Sequence, residues 1–129
     1  MTTTKTNKVI YWVATAWLSL GMLSTGIVQI FQMEKEVASM EKLGYPIYLL
    51  SILGIWKLLG VIAVLIPKNA VLKEWAYAGF FFAMTGAIIS HLAIGDDPIT
   101  LFGPTLLLLL IIVSWYFRPI SRTLKKQQA

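Results

Sequence analysis

Apolar residues along the chain fall into four long runs, separated by short polar stretches. The runs are Val9–Phe31, Ile47–Ile66, Trp75–Ile94 and Thr100–Phe117. Each is about 18–23 residues long, which suits a hydrocarbon core of about 30 Å at a rise of about 1.5 Å per residue. A bilayer interior offers no water to backbone groups, so such runs must be helical. Pro46 and Pro67 bracket the second run, with Pro46 suited to a first helical turn. Gly95-Asp96-Asp97-Pro98 is a turn between the third and fourth runs, and Arg118-Pro119 closes the last one.

Between runs one and two, Met33, Val37 and Met40 share one helical face. Glu34, Lys35, Glu36, Glu41 and Lys42 surround that face, so Gln32–Tyr45 reads as a short amphipathic helix on the membrane surface. The expected fold is therefore an all-α membrane protein: one domain over residues 1–129, a bundle of four transmembrane helices with a short amphipathic helix between spans one and two.

Within the spans, polar and small residues mark faces. Thr15, Ser19, Met22, Gly26 and Gln29 recur at helical spacing and predict the inward face of span one. In span three, Ala76, Gly79, Ala83, Gly86, Ser90 and Ala93 form a heptad seam of small residues, the pattern that lets membrane helices approach closely. That seam is read as a packing surface, either inside one bundle or between the protomers of a homo-oligomer. Gly54 and Gly60 flank Lys57 at three-residue steps in span two. Leu106–Val113 is uninterrupted aliphatic sequence, which predicts that span four mostly faces lipid.

Composition agrees with the pattern. Of 129 residues, 57% are hydrophobic and 13% charged, against about a quarter charged in soluble domains. The net charge of +5 does not signal nucleic acid, because the basic residues flank apolar runs. Lys5, Lys8, Lys68, Lys73, Arg118, Arg122, Lys125 and Lys126 fall on one side, and only Lys35 and Lys42 on the other. The positive-inside rule then puts both termini in the cytoplasm, with a bacterial inner membrane as the expected location. The first run is too long for the apolar core of a signal peptide, about 7–15 residues, so Met1 onward is read as retained. Without cysteine there is no thiol chemistry and no thiolate metal site. Nucleotide-binding glycine motifs are missing too.

Lys57 lies at mid-span, where a lysine costs about 2.5–3.5 kcal/mol on insertion scales. The Leu, Ile and Val residues around it supply about −4 to −8 kcal/mol, so the span still inserts. No acidic residue lies within a span to pair with it. An intramembrane lysine is a functional candidate by default, with bonding to neighbouring helices and snorkelling as the structural alternatives. His91, the one histidine, lies near the end of span three, with Gln29 at similar depth and Asp96 and Asp97 one turn beyond. It reads either as a proton relay or headgroup ligand, or as a satisfied structural histidine. One histidine beside two adjacent aspartates falls short of a metal signature, so no metal is expected. No nucleophile–base set has recognisable spacing.

Several blocks resemble the DoxX-like membrane proteins. They are Leu-Gly-Tyr-Pro at 43–46, Gly-Ile-Trp-Lys-Leu-Leu-Gly at 54–60, Lys-Glu-Trp-Ala-Tyr-Ala-Gly-Phe at 73–80, Thr-Gly-Ala-Ile-Ile-Ser-His at 85–91, Gly95-Asp96 and Arg118-Pro119. The likeness spans Val9 to Pro119. It implies a four-helix bundle and a place in a membrane redox system, since the founding DoxX is the small membrane subunit of a thiosulfate:quinone oxidoreductase. Quinone is the cofactor this implies, and a membrane or peripheral redox enzyme the partner. Lys57, His91 and Asp96 are the family-like polar positions, and no catalytic role comes with them. The carboxylate that some members carry at the position of Ala83 is absent.

The expected function is an accessory membrane subunit that holds a lipid-like molecule or a partner near Lys57, His91, Gln29 and Asp96. Any enzymatic role would be at most that of a membrane subunit of an oxidoreductase. Trp56, Phe80, Phe81 and Phe82 are candidates for lining an apolar pocket. The alternative is a small proton-coupled transporter or channel that uses Lys57 at the midplane.

Overall fold

A computed structural model describes residues 4–67, 69–119 and 122. Of the basic residues used for topology, Lys68, Lys125 and Lys126 lie outside them. The described chain holds five α-helices: α1 (Lys5–Ile30), α2 (Glu34–Leu43), α3 (Tyr48–Leu65), α4 (Ala70–Ala93) and α5 (Phe102–Tyr116). A 3₁₀ turn, Pro98–Leu101, leads into α5. All but α2 are long and apolar enough to cross a membrane, α5 together with the 3₁₀ turn.

The helix ends follow local chemistry. Thr4 caps α1 by accepting from the Asn7 N–H at 3.0 Å, so the helix begins a turn before the apolar run. Gly44 closes α2 in the left-handed region at φ 85°, where a side chain is disfavoured. Pro46 precedes α3 instead of occupying its first turn: Ile47 caps, and the Pro46 carbonyl accepts from the Leu49 N–H at 3.1 Å. Asp97 caps the 3₁₀ turn through the Ile99 N–H.

Contacts run α1–α3, α3–α4, α4–α5 and α5–α1, a four-cornered bundle. Short connections make neighbours antiparallel. The end carrying the start of α1, the end of α5 and the link from α3 to α4 is called proximal here, and the end carrying α2 and the 3₁₀ turn distal. Thr15, Ser19, Met22, Gly26 and Gln29 are all buried, so the polar face of α1 does turn inward. Leu18, Met22, Val61, Val64, Tyr77, Phe80, Met84 and Ile111 make the apolar core. On α5 only Ile111 and Ser114 are buried. Of the apolar face of α2, Met40 is buried and Met33 is not.

Two glycine contacts set the helix spacing. A Cβ on Gly54 would fall 2.7 Å from the Gly26 carbonyl oxygen, so α1 and α3 touch backbone to backbone there. A Cβ on Gly60 would fall 2.5 Å from the Phe80 ring, which fills that space from α4. Ser114 Oγ lies 2.6 Å from Thr15 Oγ1 and 2.7 Å from Tyr77 Oη, a buried hydroxyl chain joining α1, α4 and α5.

Lys73, counted from the sequence among the basic residues that set topology, is buried in the structure. It is 1% exposed, in the first turn of α4. Its ammonium donates to the carbonyls of Ala63, at 2.7 Å, Val64 and Ile66. Arg122 donates to Val64, Leu65 and Ile66. These carbonyls end α3 and have no intrahelical donors, which is why two cations gather on them.

Candidate functional site

Two polar centres occupy different depths. The first is Lys57, placed halfway along α3 and 8% exposed. Its stem packs at the Gly26 crossing, and its ammonium donates to Thr25 Oγ1 at 3.2 Å. Thr25 in turn donates to the Gly21 carbonyl at 3.0 Å, which leaves its oxygen free to accept. No carboxylate makes an ion pair with Lys57 among the described residues. Gln29, one turn beyond Thr25 on α1, is buried, and its Oε1 accepts no bond among the described residues.

Lys57 also lines a groove of about 470 Å³ between α3 and α4. The groove runs from Ala63, Leu72 and Trp75 near the proximal end to Leu53, Trp56 and Lys57 at mid-span. Lys57 is the charged residue in an otherwise apolar wall. From α4 the wall includes Ala76, Gly79 and Ala83, half of the small-residue seam. A Cβ on Gly79 or Gly86 would meet no atom within 4 Å, so at these positions the seam leaves open space within this chain. Trp56 and Phe80 line the groove, whereas Phe81 and Phe82 lie on another face, beside Trp115.

The second centre is distal. His91 Nδ1 lies 2.8 Å from Asp96 Oδ2, and Lys42 Nζ lies 2.5 Å from Asp96 Oδ1. Tyr45 Oη lies 2.6 Å from Ser90 Oγ, so α2 and the chain after it are tied to the end of α4. Lys42, then His91, then the Asp97 N–H hold the Asp96 carboxyl below its ordinary 3.8, at about 2. An ionised carboxylate only accepts, so Nδ1 of His91 carries the proton in this pair. Asp97 does not join the cluster, since its side chain caps the 3₁₀ turn.

The structure thus brings His91 and Asp96 together, and Lys57 near the face that carries Gln29. No hydrogen bond connects the two centres among the described residues. Sequence reasoning missed Thr25, Lys42 and Tyr45 as partners, and Ser114 entirely. Thr25 was findable, because it stands one turn from Gln29 on α1. Ser114 directly ends the aliphatic run, where its hydroxyl is the one polar group that span offers the core.

These helices, four of them long and apolar enough to cross a membrane, define a small all-helical membrane protein with an apolar groove between α3 and α4. The profile of the DoxX-like family matches residues 13–114, and the chain belongs to that family. No curated protein and no solved structure matches the chain.

Proposed function

We propose that this DoxX-like protein is an accessory membrane subunit that holds a lipid-like molecule in the groove between α3 and α4, beside Lys57. The observation that carries this reading is the groove itself: about 470 Å³, apolar, with one buried lysine in its wall. That volume falls within the range of small-molecule sites, about 300–1,000 Å³, and such sites combine apolar walls with few polar groups. As its setting we propose a quinone-linked redox partner in a bacterial inner membrane with both termini in the cytoplasm; the family likeness supports the partner, and the asymmetry of Lys and Arg along the sequence supports the orientation. The reading narrows the expected site to Lys57. His91 and Asp96 serve instead to dock α2 against α4.

Mass spectrometry of molecules that co-purify with gently solubilised protein tests the proposal. Wild type is compared with Gly79→Leu, which fills open groove space, and with Lys57→Leu. A defined lipid or quinone retained by wild type and lost from both variants is the expected result. Identical bulk-lipid profiles in all three would refute it.

A further inference from the structure

Lys57 carries three ammonium donors, and Thr25 takes one of them. The acids that form ion pairs among the described residues do so at the two ends of the bundle, Glu74 with Arg118 and Asp96 with Lys42 and His91. Gln29 can offer a neutral oxygen but no charge. A buried cation without a counter-ion is costly, and a partner of opposite charge relieves that cost. The groove gives such a partner access from the bilayer, because Trp56, Leu59, Leu72 and Trp75 on its walls are exposed.

We propose, resting on the groove reading above, that the occupant is a single-chain amphiphile with one anionic head, a long-chain carboxylate. Its head pairs with Lys57 and its tail lies between α3 and α4 toward Leu72 and Trp75. Charge complementarity selects the anion: a neutral quinone carbonyl would accept a hydrogen bond but leave the positive charge uncompensated. The largely apolar walls select the tail, since beside Lys57 they offer a polar ligand only the indole N–H groups of Trp56 and Trp75 among their side chains. The depth selects a small head, because a large hydrated phosphodiester would have to shed far more water to reach mid-span.

Trp56 and Trp75 report occupancy, because bromine quenches indole fluorescence at short range. Protein in zwitterionic nanodiscs is titrated with dibrominated stearate and separately with dibrominated stearyl alcohol, at a pH where the acid is ionised. Groove-specific quenching is the signal of wild type minus that of Gly79→Leu. The carboxylate should half-saturate wild type at a concentration about tenfold or more below the alcohol. Lys57→Arg should keep that preference and Lys57→Met should lose it. Equal potency of the two probes, both blocked by Gly79→Leu, would overturn the anionic head and leave the groove reading intact. Displacement of the stearate by an equal amount of a long-tailed quinone, without return displacement, would also overturn it. Quenching that Gly79→Leu does not change would remove the groove reading itself. Should Lys57→Met fail to fold, the headgroup comparison in wild type still decides.

Discussion

Ser114→Ala removes one oxygen atom and, with it, the centre of the hydroxyl chain across three helices. Ser114 and Thr15 are fully buried, and Tyr77 nearly so. The substitution breaks the 2.6 Å contact with Thr15 and the 2.7 Å contact with Tyr77, which tie α1 and α4 to α5. In water-soluble proteins each stranded hydroxyl costs about 1–3 kcal/mol. Within membranes the average is nearer 0.6 kcal/mol per bond, with a maximum of about 1.7, because helices separated in the bilayer find other partners. The lower scale applies here, so two bonds predict a loss of about 1–3 kcal/mol. Unfolding in mixed micelles of mild detergent and dodecyl sulfate, followed by tryptophan fluorescence, measures it. A cycle with Tyr77→Phe should show a coupling of about 0.6–1.7 kcal/mol, the double variant costing less than the sum. A Ser114→Ala loss below about 0.3 kcal/mol, or additivity with both Tyr77→Phe and Thr15→Val, would refute the network.

The same unfolding assay separates two glycines. Gly54→Ala drives a methyl group into the Gly26 carbonyl and should cost about 1–3 kcal/mol, whereas Gly79→Ala meets open space and should be neutral or stabilising by up to about 1 kcal/mol. Lys73→Met takes a buried donor from the last carbonyls of α3 and should lower stability by about 1–3 kcal/mol. Adding Arg122→Ala should cost more than the sum of the two, because both cations serve Val64 and Ile66; additive melts would contradict the shared cap. Docking of α2 should depend on acid. Asp96 is held at about 2, below its ordinary 3.8, so the folded state favours the ionised form. Its contribution is complete above about pH 4 and disappears as pH falls toward 2, which a spin-label distance between α2 and the 3₁₀ turn would follow. Asp96→Asn should remove that pH step, and a step that persists would assign it to another group.

Much of the fold was legible because the bilayer enforces strong patterns. The four spans and α2 follow from run length and helical spacing alone, and the inward face of α1 from its polar stripe. Their starts were less so. The helix α4 begins five residues before the apolar run, since Lys73 and Glu74 find partners on α3, Arg118 and Trp115. Hydropathy has no means of registering such a partner. Of the candidate site, His91 with Asp96 was within reach, being five residues apart around a turn. Lys42 was not, because it arrives from a helix 54 positions away.

Sequence by itself determined the class of this protein. Four apolar runs, sparse charge and no cysteine leave an all-helical membrane protein, since only helices satisfy every backbone group of such runs in lipid. Tertiary structure decided which of its unusual residues act together. Lys57 and Gly79 look unrelated along the chain, but they line one groove between α3 and α4. Gly54 and Gly60, which flank the lysine symmetrically in sequence, are consumed separately by α1 and by Phe80. The physical reason is that periodicity fixes the direction a side chain leaves its helix, while its partner depends on how closely two helix backbones approach. That distance is set by contacts such as Gly26 against Gly54, made between residues far apart in the chain.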